Sequence, residues 1–154
     1  MKTIFFDMDG TLCALYDVPN WLEKLRALDP APYADAAPMH NMSLLARLLN
    51  QLKRRGFKLG IISWLSKEPT PEYDEAVIHA KEEWLNKHLT SVSWDEKWFV
   101  PYGTSKSDFI TDDNDILFDD EEKNRTDWQG IALDPTQIFS TLKLLSKLAP
   151  SEVV

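Results

Sequence analysis

Two aspartates separated by one residue, Asp7 and Asp9, directly follow the apolar run Ile4-Phe5-Phe6. If that run is a strand, side chains two apart point the same way, so both carboxylates face one pocket and Met8 faces the other side. Two like charges that close are unfavourable unless a cation or a proton is shared. A hard dication with oxygen ligands, Mg²⁺, is the simplest partner. Gly10 permits a tight exit from the strand ahead of Thr11. A second acidic pair, Asp119-Asp120, ends a later apolar run, and one of these carboxylates could complete the cation site while the other holds a neighbour in place. Ser63 closes the run that begins at Lys58; its hydroxyl can donate to a phosphoryl oxygen, and the Lys106 ammonium can neutralise phosphoryl charge. Lys97 and Lys123 compete for that role. Lys106 is preferred because the loop Gly103-Thr104-Ser105-Lys106 falls between two strand candidates.

Other chemistries lack their parts. His40, His79 and His88 do not have metal-ligand spacing. An EF-hand starting at Asp113 fails at its sixth position, where Phe118 stands and glycine is needed. No phosphate-cradling or dinucleotide glycine loop is present, and there is no Gly-x-Ser-x-Gly elbow. The one cysteine, Cys13, excludes an intramolecular disulfide framework.

These residues need elements to position them. Thr3–Phe6, Lys58–Ser63, Glu96–Pro101, Asp115–Phe118 and Ile131–Leu133 read as five short strands. Leu44, Leu45, Leu48, Leu49 and Leu52 mark one face of a helix that Gly56 caps. A second helix starts at Thr70-Pro71, with Tyr73, Val77, Ala80, Trp84 and His88 as its buried stripe. A last helix follows the capping sequence Asp134-Pro135-Thr136-Gln137, buries Ile138, Leu142 and Leu145, and fades at Pro150. Between Leu12 and Asn41 we expect a short helix after Pro19, then a loop over Asp29–Met39, where Pro30, Pro32 and Pro38 oppose helix. Residues 13–41 then form an insert over the active end of a single domain spanning residues 1–154. Alternating strands and helices give the α/β class: a mainly parallel five-stranded sheet in a Rossmannoid three-layer sandwich. In such a sheet, ligands gather at the carboxyl ends of the strands. Those ends carry Asp7 and Asp9, Ser63, and Asp119 and Asp120.

The chain has 154 residues, long enough to bury a core, with hydrophobic and charged fractions of 44% and 27% that are ordinary for a soluble domain. A net charge of −8 disfavours nucleic acid as a partner. That charge is local: eight acids and no base lie in residues 108–122, which concentrates it around one strand end, and the rest of the chain is formally neutral. No stretch approaches the roughly 20 apolar residues of a membrane span, and the N-terminal apolar run is too short for a signal peptide, so a cytoplasmic location is expected.

Phe5-Phe6-Asp7-Met8-Asp9-Gly10-Thr11-Leu12 resembles the first motif of the haloacid dehalogenase superfamily of phosphohydrolases. Ile61-Ile62-Ser63 is similar to its second motif, Lys106 to its third, and Leu117-Phe118-Asp119-Asp120 to its fourth. The resemblance implies a Mg²⁺-dependent phosphomonoesterase that works through an aspartyl-phosphate. Asp7 would be the nucleophile and Asp9 the general acid, then base. Thr11, Ser63 and Lys106 would bind the phosphoryl group. Mg²⁺ would be held by Asp7, the Asp9 backbone carbonyl and Asp119 or Asp120. The short span between the first two motifs implies a small cap, and the adjacent aspartates of the fourth motif resemble nucleotidase-like members. The expected partner is a small phosphorylated substrate such as a nucleotide. Two other readings stay open: a receiver-like phosphate-binding module without turnover, and a phosphatase acting on nucleic-acid ends.

Overall fold

The computed structural model describes residues 2–68 and 70–148. Five strands form one all-parallel sheet: β1 (Thr3–Phe6), β2 (Lys58–Trp64), β3 (Glu96–Val100), β4 (Ile116–Phe118) and β5 (Ile131–Leu133). Their spatial order is β3-β2-β1-β4-β5. The chain steps from β1 out to β2 and β3, then crosses back to β4 and β5. This makes β1 the strand at which the order reverses, and a crevice opens at its carboxyl end. All five expected strands are present. Only their ends differ: β2 runs on through Trp64, β3 stops before Pro101, and β4 begins at Ile116.

Side-chain alternation divides the core between the two faces of the sheet. Ile4, Phe6, Leu59, Ile61, Ile116 and Phe118 pack beneath α3 (Met42–Arg54), α6 (Ile138–Leu145) and the second half of α4 (Pro71–His88). Phe5, Ile62, Val100 and Leu117 face the other way, covered by Trp128 and the partly buried Phe109 and Ile110. On that face the Phe5 ring lies against Gly60, where a Cβ would sit 2.5 Å from the ring; only glycine admits this contact. α3 has its leucine stripe, an Asn41 cap that accepts from the Leu44 amide, and Gly56 at φ 98. The Asp134 capping box precedes a 3-10 turn, Pro135–Gln137, that leads into α6. Pro150 lies outside the described residues.

Three expectations need correction. His88 is only half-buried; the buried face of α4 takes in Lys81 and Leu85 instead. The segment Asp29–Met39 is not all loop. After α1 (Trp21–Arg26) comes α2 (Ala31–Asp35), with Pro30 at its N-cap and Pro32 in the first turn, where a missing N–H costs nothing. Between β4 and β5 lies a further short helix, α5 (Glu122–Asp127), with Glu121 at its N-cap. Finally, residues 108–122 do not gather at one strand end, because Asp112 to Asp115 lie before β4, at its amino end.

The insert is tied at its root and its middle. Leu12 and Ala14 pair with Met39 and Ala37 (2.9 and 2.8 Å), while Trp84 Nε1 donates to the Ala36 carbonyl and the Tyr73 hydroxyl to that of Asp29. Among the described residues no helix is long and apolar enough to cross a membrane.

Asp115 is a structural tie. Fully buried, its carboxylate accepts the backbone N–H groups of Thr3, Thr111 and Asp112 at 2.8–3.1 Å. Asp115→Ala would strand these donors at the sheet's amino end. Urea denaturation should show a loss of about 2–4 kcal/mol with an unchanged slope.

Candidate active site

The exit from β1 is a tight turn built around one carbonyl. Met8 O accepts from the amides of Thr11, Leu12 and Cys13 at 3.1, 2.8 and 2.9 Å. Met8 itself is buried in the core, so its neighbours Asp7 and Asp9 point away from it. Gly10 has φ 82, and a Cβ there would lie 2.3 Å from Asp120 Oδ2; the turn and the acid can be this close only without a side chain at residue 10.

Asp7, Asp119 and Asp120 come together, each offering a carboxylate oxygen within 4.8 Å of the others. Lys106, 2% exposed, bridges two of them, donating to Asp7 Oδ1 (2.9 Å) and Asp119 Oδ2 (2.7 Å). Asp119 is fully buried and well supplied, since it also accepts from the Glu121 amide and from Asn124 Nδ2. Asp120 is the poorly supplied member, with the Thr11 hydroxyl 3.4 Å away. That hydroxyl lies closer to Asp7 Oδ2 (3.1 Å) and accepts from the Asp120 amide. Thr11 is fully buried, and His40 Nε2 holds its carbonyl at 2.7 Å. The rivals of Lys106 are elsewhere: Lys97 pairs with Glu82, and Lys123 is exposed on α5.

Asp9 belongs to a second cluster whose centre the sequence reading missed. Lys81, on α4 and 1% exposed, places its ammonium 3.1 Å from Asp9 Oδ2, 2.6 Å from Ser63 Oγ and 2.7 Å from the Trp64 carbonyl. All three N–H donors are used. Since Ser63 Oγ accepts here, its own proton is free for another acceptor. One signal was available: Lys81 lies four residues from Val77 and eight from Tyr73, on the apolar stripe where a lysine is out of place.

A cavity of about 430 Å³ opens over both clusters, with Asp7, Asp9, Lys106 and Asp119 in its wall and residues of the insert around it. No protein-family model matches the chain, and none of the curated proteins is significantly similar to it in sequence. Solved structures do resemble it. A D,D-heptose 1,7-bisphosphate phosphatase from Burkholderia thailandensis superposes with TM-score 0.50 and 12% identity over 82% of this chain and 70% of its own. A chain of a Pnkp1/Rnl/Hen1 complex gives TM-score 0.52 and 17% identity over 86% of this chain, which spans under half (44%) of that longer one. The chain has the haloacid dehalogenase fold.

Charge balance within this haloacid dehalogenase fold tests whether a metal suits the site. Asp7, Asp9, Asp119 and Asp120 face two ammonium groups, so the fully ionised site is two negative charges in excess. Burial, and then the Asp7 carboxylate, push Asp120 up to about 8 from 3.8. Burial and Asp7 also raise Asp119. Burial alone would lower Lys106, but Asp7 and Asp119 more than reverse it, so its ammonium is held charged. An all-oxygen set that resists ionisation when left alone fits a hard divalent cation.

Without metal, the folded protein keeps a proton on Asp120 that the unfolded chain releases above about pH 4. This group therefore costs stability increasingly between pH 4 and 8. In EDTA, Asp120→Asn should raise the melting temperature, clearly at pH 8 and little at pH 4.

Proposed function

We propose that the protein is a Mg²⁺-dependent phosphomonoesterase, with Asp7 as nucleophile. The observation that carries this reading is the Lys106 ammonium bonded to both Asp7 and Asp119 at the end of the switch strand, with Asp9 held separately two residues on. Asp7, Asp120 and Asp119 would hold the Mg²⁺, whose charge would offset the repulsion between the carboxylate nucleophile and an anionic phosphoryl group.

The chain's own groups divide the remaining work. An Asp7 oxygen attacks phosphorus as the ester oxygen departs, and Asp9 gives that oxygen its proton. Asp9, now ionised, takes a proton from water, which attacks the aspartyl-phosphate and frees inorganic phosphate and Asp7. Lys81 occupies one Asp9 oxygen and leaves the other for these transfers. The Ser63 proton and Lys106 serve the phosphoryl oxygens. We give Thr11 a different role from phosphate binding, because its hydroxyl already lies between Asp7 and Asp120 and positions them. The similarity to a heptose bisphosphate phosphatase supports the reaction class through fold alone.

Steady-state hydrolysis of an aryl phosphate should require Mg²⁺ and stop with EDTA. Asp7→Asn should abolish it, and Asp9→Asn should lower kcat by about 10²–10⁴-fold. A long-lived phosphorylated Asp7 without turnover would instead mark a phosphate-binding module. Lys81→Met should lower kcat by roughly 10- to 100-fold, as expected for loss of a hydrogen-bonded support. Mg²⁺ affinity by calorimetry should change little, since Lys81 does not touch the three clustered carboxylates.

A further inference from the structure

The cavity above the carboxylates is built for more than a phosphoryl group. Five aromatic rings line it: Tyr16, Trp21 and Tyr33 from the insert, and Trp64 and Tyr102 from the sheet end. Four of them form two edge-on or tilted pairs, Tyr16–Trp21 with centroids 5.0 Å apart and Trp64–Tyr102 at 4.9 Å, and Tyr33 packs from α2 against α4. Two lysines connect the walls to the reacting groups. Lys106 Nζ is 2.9 Å from Asp7 and 5.5 Å from the Trp64 ring centre; Lys81 Nζ is 3.1 Å from Asp9 and 4.9 Å from the Tyr33 ring centre. A phosphoryl group bound at the carboxylates thus has an aromatic ring one ammonium away on both sides, the half-buried Trp64 and the buried Tyr33. The Trp64 N–H is spent on the Thr104 carbonyl, so this side chain offers its ring rather than a donor.

Exposed apolar surface gathers at this cavity. Among the described residues, seven large apolar side chains are exposed, and four of them, Tyr16, Leu22, Leu28 and Tyr102, line this cavity. Leu28 also sits at φ 59, a left-handed conformation that a leucine adopts only against strain. A sugar can lay only a narrow C–H face on one of these rings and turns its hydroxyls to the others, whereas a flat aromatic ring would cover more of the walls and stack.

Resting on the phosphomonoesterase reading, we infer that the substrate's leaving group carries a flat aromatic ring, which the insert and the Trp64–Tyr102 pair hold beside the scissile phosphate. The ring could be a nucleobase or a phenol; the chemistry of recognition is the same, and two substrate pairs separate them.

Nucleoside 5′-monophosphates and ribose 5-phosphate present the same primary phosphate and differ by the base. Phosphotyrosine and phosphoserine differ by the ring, and also in intrinsic reactivity. With full-length protein and Mg²⁺, kcat/KM should favour the ring-bearing member of at least one pair by about tenfold or more. Trp21→Ala should shrink that preference several-fold, mainly through KM. Intrinsic reactivity is untouched by this substitution, so only the part of the preference lost in the variant counts. Equal kcat/KM within the nucleotide pair, with no Trp21-dependent preference in the other, overturns this inference while leaving the phosphatase standing. Absence of turnover across all four compounds and an aryl phosphate overturns both.

Discussion

Four carboxylates at one end of a parallel sheet repel one another, and the rest of the site is arranged around that repulsion. Two nearly fully buried lysines meet it from opposite directions, Lys106 from the 3-10 turn after β3 and Lys81 from α4. Burial alone would lower the Lys106 pKa, and Asp7 and Asp119 more than reverse that; either ammonium, left without its carboxylate at such depth, would be a costly unpaired charge. The two ammonium groups stop short of balance, and Asp120 is where the shortfall appears. The same imbalance that makes the site unfavourable by itself makes it receptive to a divalent cation.

The fold sets this up through strand order. Because β1 lies between β2 and β4, its exit turn has the ends of both strands beside it. Asp7 meets Asp119 and Asp120 on the β4 side, and Asp9 meets Ser63 through Lys81 on the β2 side. The turn gathered around Met8 O keeps the two aspartates pointing away from the core, while Gly10 lets Asp120 close over it. The insert leaves and returns through its paired stem and contributes aromatic rings to the cavity, so one short excursion serves as both a wall and a roof.

Strands and long helices were legible in the chain because their signals are local. Ile131–Leu133 and Thr3–Phe6 fall where the apolar runs place them, the cap at Thr70 begins its helix as read, and the one at Asp134 begins the 3-10 turn that leads into the last helix. Short elements were less legible. α2 is only five residues, and its stability comes from Tyr33 and Ala36 packing under α4, contacts that prolines in the sequence do not announce. α5 has little apolar periodicity of its own and reads as a charged loop until Asn124 is seen bonded to Asp119.

Residue type and spacing determined, by themselves, that Asp7 and Asp9 follow a buried strand and turn the same way, opposite to Met8, that a second acidic pair ends another strand, and that the architecture is a parallel α/β sheet. These follow from the two-residue period of extended chain and from hydrophobic runs, both properties of neighbours in sequence. Tertiary structure decided how the lysines act: which carboxylates Lys106 joins, and that Lys81 stands between Asp9 and Ser63. Lys106 and Asp119 are thirteen residues apart, Lys106 and Asp7 ninety-nine, and Lys81 and Asp9 seventy-two, so no local pattern links them. Only packing, by excluding water, turns an ammonium from a solvated surface charge into an obligatory partner for a particular carboxylate. The same packing moved the hydroxyl of Thr11 beneath the acids and left that of Ser63 with a proton to give.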